Sequence, residues 1–193
     1  MKIVTISGPH GAGKDAICEG LTKKFPMLYK VIPCTTRKMR EGESEGKPYH
    51  FISEENFEGG LQNGEFLFNA QIRSHRSGFK REELQLSEFI LIDILPVGAR
   101  FVRELVRREK IGTSVHVFIH VPSDVRKMRI VNREPSLVNN PEKLQRMMDA
   151  DPVQSNPRLY MDFDLILPNP NGLLQQTIAS LSEFLEVFFS QSA

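Results

Sequence analysis

Three glycines and a lysine are gathered in Gly8-Pro9-His10-Gly11-Ala12-Gly13-Lys14-Asp15. Glycine lets a backbone turn tightly enough to aim several N–H groups at one anion. A lysine at the end of such a loop adds a point charge that reaches terminal phosphates. This chemistry needs a strand before the loop and a helix after it. The sequence supplies both: Ile3 to Ile6 is a short apolar run, and Ala16 to Phe25 follows a helical pattern. A glycine turn arising by chance would lack that setting. The expected ligand is ATP with Mg²⁺, cradled by residues Gly8 through Ala16, with Lys14 on the β- and γ-phosphates. Asp15 stands where a Ser or Thr hydroxyl usually meets the metal. A carboxylate is a hard oxygen ligand, so Asp15 is expected to hold Mg²⁺ directly or through water. The alternative is a degenerate loop whose negative charge weakens binding.

A second cluster follows in Thr35-Thr36-Arg37-Lys38-Met39-Arg40-Glu41-Gly42-Glu43 and continues to Tyr49 and Phe51. Arg37 and Arg40 can present two planar guanidinium forks to one phosphate. Tyr49 can add a hydroxyl donor, and Glu43 can orient the arginines. By composition alone the stretch would read as a solvated charged loop.

Taken in order, the two clusters resemble the guanylate kinase family. The match falls on Thr35, Thr36, Arg37, Arg40, Gly42, Glu43, Gly46, Tyr49 and Phe51, correctly placed after the phosphate loop. The resemblance implies an α/β fold: a P-loop NTPase three-layer sandwich with a parallel sheet, an inserted acceptor-binding lobe and a LID. It implies a single unit over 1–193, with CORE 1–33, 84–126 and 152–193, acceptor lobe 34–83 and LID 127–151. It also implies roles. Arg37, Arg40 and Tyr49 would hold the acceptor's phosphate, and Asp93 would be an acidic group near the phosphates. Arg129, Arg133 and Arg146 would be LID arginines, and Asn169 would lie near the adenine. The reaction implied is ATP-dependent phosphorylation of a nucleoside monophosphate, GMP or a related one.

The resemblance stops at the residues that would read guanine. Their positions are Pro33, Phe68, Phe79 and Leu95, and a tyrosine on the acceptor phosphate becomes Ser77. None offers the carboxylate that a guanine edge wants, and an unpaired polar edge is costly to bury. The run Gln71-Ile72-Arg73-Ser74-His75-Arg76 either reads another base or a sugar, or forms an exposed hairpin. The GKD triplet also resembles the ribose 1,5-bisphosphate phosphokinases, which makes a sugar phosphate a rival acceptor. A rival of another class is a non-catalytic module that binds phosphorylated ligands.

The elements that must position these groups show in the hydrophobic pattern. Phe89 to Ile94, Val115 to Val121 and Leu165 to Leu167 join Ile3 to Ile6 as buried strands. Between them lie helical stretches at Val97 to Arg108 and Ser123 to Arg133. A last amphipathic helix carries Leu174, Ile178, Leu181, Leu185 and Phe188. Strands alternating with helices predict a parallel sheet covered on both faces. Two segments break the rhythm. Thr35 to Gly78 reads as an inserted α+β lobe. Glu134 to Asp151, with Asn139-Asn140-Pro141, reads as a polar, mobile flap between two helices.

Composition excludes other classes. Hydrophobic residues at 40% and charged residues at 25% are incompatible with wholesale disorder. A net charge of +1 leaves no basic excess for nucleic acid. No long apolar stretch suggests a membrane span or a signal peptide, so a cytoplasmic protein is expected, monomer or homodimer, with a small phosphorylated molecule as its partner. Cys18 and Cys34 lack metal-site spacing and read as reduced thiols. His116 and His120 fall in a strand pattern, where a spacing of four does not make a metal pair. The seven methionines, Met128, Met147 and Met148 among them, read as packing residues.

Overall fold

The computed structural model describes residues 1–72, 74–149 and 157–191. Arg73 and the stretch 150–156, where the LID was expected to return to the CORE, lie outside the described residues.

The main sheet has strands β1 (Lys2–Ser7), β2 (Tyr29–Lys30), β7 (Phe89–Asp93), β8 (Thr113–His120) and β9 (Leu165–Pro168). Their order is β2-β7-β1-β8-β9, and every neighbouring pair is parallel. β1 is central and wholly buried, as its unbroken apolar run requires. Helices α1 (Lys14–Lys24), α3 (Pro96–Glu109), α4 (Ser123–Arg133) and α6 (Leu174–Ser190) surround the sheet. One cluster joins Val4, Ile6, Ile17, Leu21, Val117, Leu181 and Leu185 beneath α1 and α6. The other joins Ile3, Ile90, Ile92, Ala99, Val102 and Leu105 beneath α3. Period-2 alternation divides the side chains of one strand between the two: Val4 and Ile6 to the first, Ile3 to the second.

The inserted lobe carries a second sheet, ordered β4-β3-β6-β5. Its strands are β3 (Cys34–Thr35), β4 (His50–Phe51), β5 (Phe66–Ile72) and β6 (His75–Lys80), flanked by α2 (Glu54–Gln62). Ser53 caps α2 by accepting from the Asn56 N–H. Within the run 71–76, Gln71 lies opposite Arg76 and Ile72 opposite His75 on the antiparallel pair β5–β6. Phe79 and Leu84, with Leu67 and Phe68 packed on them, belong to the same cluster as the CORE residues under α3.

The segment expected to be a polar flap is more ordered than its composition suggests. It holds a 3₁₀ turn at Pro135–Asn139 and helix α5 (Pro141–Asp149). Ile130, Leu137, Leu144 and Met147 bury one another between α4, the turn and α5. Met147 packs as expected, but Met128 is 39% exposed, and Met27, Met39 and Met161 also face solvent. For these four the expectation of a packing role fails, because they lie on faces that no other element covers.

Candidate active site

The phosphate loop joins β1 to α1 and is tightly supported from below. A Cβ at Gly8 would lie 2.7 Å from the Ile119 carbonyl oxygen on β8, so only glycine fits. Gly13, with φ of 84°, is the left-handed residue that starts α1. Asn169 is buried behind it. Its Nδ2–H donates to the Ala12 carbonyl at 2.8 Å, and its Oδ1 accepts from the Thr177 hydroxyl. The side chain therefore holds the loop in shape.

Lys14 and Asp15 occupy the first turn of α1, where the helix dipole favours a carboxylate. Asp93 ends β7, next to β1 in the sheet. Burial pushes its carboxyl up; Lys14 and Lys30 oppose the rise and Asp15 adds to it. Lys14, Asp15, Lys30 and Asp93 thus all lie toward the carboxyl ends of the parallel strands β1, β2 and β7. Such ends are where open α/β sheets bind ligands.

The second cluster forms a built unit. Arg37 donates Nη1–H and Nη2–H to the two oxygens of Glu43, both at 2.9 Å. Glu43 also accepts from the Arg40 N–H at 2.8 Å. The Arg37 pair is largely shielded, at 14% and 17% side-chain exposure, and its hydrogen bond holds Glu43 below the usual carboxylate range. The guanidinium also lies over the rings of Tyr49 and Phe51, 5.4 Å from each centroid. Glu43 therefore orients Arg37 as expected, while the side chain of Arg40 stands in solvent. Burial pushes the Tyr49 hydroxyl up, and the charges of Asp93 and Asp15 add to the rise.

Two of the three arginines expected in a LID meet the loop. Arg129 donates to the carbonyls of Gly11 and Pro170 at 3.5 and 3.1 Å, and Arg133 contacts the His10 ring. Arg146 instead donates to the Glu142 carbonyl within α5. Sequence reasoning missed Arg126. Fully buried, it donates to the His10 carbonyl at 3.2 Å and to the Met148 carbonyl at 3.4 Å. It links the phosphate loop to α4 and α5. Its one sequence signal is its place four residues before Ile130, on the buried face of α4.

His116, His120 and the two cysteines lie outside these two clusters. His116 is enclosed, with Nδ1 2.8 Å from the Thr5 hydroxyl and Nε2 3.0 Å from the Ser114 hydroxyl. His120 is exposed at the end of β8. Both cysteines are free and buried. Among the described residues no cluster of three or more His, Cys, Asp or Glu could hold a metal alone, and no helix is long and apolar enough to cross a membrane. Two carboxylates beside a lysine nevertheless fit Mg²⁺, which keeps waters and substrate phosphates as its other ligands.

The family model for guanylate kinase matches residues 1–187. The chain is 32% identical over 184 residues to the guanylate kinase of Symbiobacterium thermophilum, covering 93% of this chain and 82% of that one. It is 29% identical over 189 residues to the guanylate kinase of Chlorobium luteolum, covering 95% and 92%. A crystal structure of guanylate kinase from Anaplasma phagocytophilum superposes with a TM-score of 0.68 at 22% identity, covering 98% of this chain and 87% of that one. At that identity the superposition speaks for the fold.

Proposed function

The chain belongs to the guanylate kinase family and is a nucleoside monophosphate kinase; we propose that it transfers the γ-phosphoryl group of Mg·ATP to GMP or a related monophosphate, releasing ADP and the diphosphate. The observation that supports this reading is the presence in one chain of a strand–glycine loop–helix phosphate site and the built Arg37–Glu43–Tyr49 unit. The matched relatives bear the name guanylate kinase and give a sugar-phosphate acceptor no support. Membership of an enzyme family sets the non-catalytic module aside.

In this reading Arg37, Arg40 and Tyr49 hold the acceptor's phosphate and aim one of its oxygens at the γ-phosphorus. As that O–P bond forms, the bond to the oxygen bridging the β- and γ-phosphates breaks, and ADP carries that oxygen away. No covalent enzyme intermediate is needed. Lys14, the loop N–H groups, Arg129 and Arg133 neutralise charge on the transferring group. Arg146 would have to leave its own helix carbonyl to join them. Mg²⁺ would be held by Asp15, with Asp93 behind it, and would supply charge neutralisation at the phosphates. Closing the LID and the acceptor lobe excludes water and suppresses ATP hydrolysis. The test is ADP release from Mg·ATP and GMP by Arg40→Ala. Loss of a charge-assisted hydrogen bond is worth about 1.5–3 kcal/mol, so kcat/KM should fall by roughly 10- to 100-fold. Full activity would defeat the assignment of the clamp.

A further inference from the structure

We infer that His10 is a positioning residue for phosphoryl transfer: its ring holds Arg133 against the phosphate loop, so that the remaining donors of the guanidinium are aimed at the transferring group. The inference rests on the role proposed above for Arg133.

Helix α4 lies directly on the loop. A Cβ at Gly11 would stand 3.2 Å from both the Arg126 carbonyl oxygen and the Ile130 side chain, and Gly11 has a φ of 82°. Only glycine allows that approach. Arg126, Ile130 and Arg133 follow one another at spacings of four and three, which puts them on one face of the helix. Ile130 anchors that face in the small cluster with Leu137, Leu144 and Met147. Arg126 donates to the His10 carbonyl at 3.2 Å. Two turns further along α4, Nη2 of Arg133 meets Nε2 of the same residue's ring. His10 is thus held twice by one helix face, once through its backbone and once through its side chain.

The contact fixes the state of the ring. A guanidinium has N–H donors and no acceptor, so Nε2 must accept, and the ring is neutral with its proton on Nδ1. Arg133 is the last residue of α4. A long side chain there has many rotamers to lose when it meets a phosphate. The adjacent carboxylate does not capture it, because Glu134 pairs with Lys143 at 2.5 Å. The His10 ring is the one hydrogen-bond partner of Arg133 among the described residues. A guanidinium carries five N–H donors, so holding one leaves the others for phosphoryl oxygens. The ring stands on a loop that Ile119 supports from below and Asn169 from behind. It is therefore a fixed post, and fixing a charged group in its working place lowers the barrier with no new contact to substrate.

The experiment compares two variants of the full chain with Mg·ATP and GMP. His10→Leu keeps the bulk and removes the acceptor, whereas His10→Gln offers an amide oxygen to Arg133. The ring is half-buried on the loop, so both variants should fold, and melting curves check that. His10→Leu should lower kcat about tenfold, the scale of one lost charge-assisted hydrogen bond, with the KM for ATP within about threefold of the parent's. His10→Gln should bring kcat back to within about threefold of the parent's. In an Arg133→Ala background, His10→Leu should cost less than about twofold, because the group it positions is gone. The cycle is repeated with His10→Ala, so that a folding defect in one variant does not decide the result. Parental kcat in His10→Leu overturns the inference. So does an equal loss with and without Arg133, or a loss confined to the KM for ATP, either of which would make the ring a support of the loop. Those outcomes leave the kinase reading standing. No turnover of GMP by the parent defeats that reading and the inference with it.

Discussion

Asp15 and Glu43 are two carboxylates with opposite tasks. Asp15 is exposed at the rim of the loop, where the proposed reading has it hold Mg²⁺. Glu43 is locked to Arg37 through both of its oxygens. Asp15→Ala should therefore raise the Mg²⁺ concentration needed for half-maximal rate by about tenfold, equal to about 1.4 kcal/mol, with a smaller change in the acceptor's KM. A Mg²⁺ titration that superposes on the parent's would assign the metal to Asp93 alone. Glu43→Gln keeps the shape and removes the charge that aligns Arg37. The acceptor's KM should rise roughly tenfold while that of ATP stays put; equal effects on both would mean the pair serves the fold, not the clamp. These residues were legible in the sequence because a phosphate site depends on residue type at fixed spacing. Arg126 was not, because a charged residue reads as surface until tertiary contacts enclose it.

At the scale of elements, the loop is held by its neighbours: Ile119 of β8 below, Asn169 behind, Arg126 and Arg129 of α4 above. Arg126→Met removes donors to two carbonyls and should cost about 2–3 kcal/mol. For a chain of this size that lowers Tm by about 4–12 °C, and ATP affinity should fall too because the loop loses a support. A variant melting with the parent would mean that water replaces those bonds. Strands β1, β7, β8 and β9 and helices α1, α3, α4 and α6 followed from hydrophobic period, whereas the two-residue β2 and the strands of the lobe did not. The order in the LID did not, because its small core draws single residues, Ile130, Leu137, Leu144 and Met147, from three short elements, and no one element shows a period. The acceptor lobe was legible as an insertion by its change of composition. Its docking through Phe68 and Phe79 was not, since the partner residues are distant in sequence.

For the molecule as a whole, His116 sets a pH limit. Burial lowers its imidazole from 6.5 to about 4, with Arg103 acting the same way and Asp164 and Asp162 against. The folded state thus refuses a proton that the unfolded chain accepts. Between pH 6.5 and 4 the unfolded state binds more protons, so stability falls as pH falls, and above 6.5 this group has no further effect. The full loss is about 3 kcal/mol. Urea titrations at pH 7.5 and 4.5 should show most of it, and His116→Gln should flatten the difference. A parent protein equally stable at both values would refute that account.

The aromatic contact between lobe and CORE has a consequence for how this protein comes apart. Phe79 of the lobe, with Phe68 packed beside it, shares one apolar cluster with Ile3, Ile90 and Ile92 of the main sheet, so the lobe loses a large part of its apolar packing when the sheet is lost. Heating should give a single calorimetric peak, with the van't Hoff and measured enthalpies in agreement. A monophosphate bound at the lobe then delays the melting of the entire chain. A dye-based melting screen would sort acceptors by affinity before any turnover is measured.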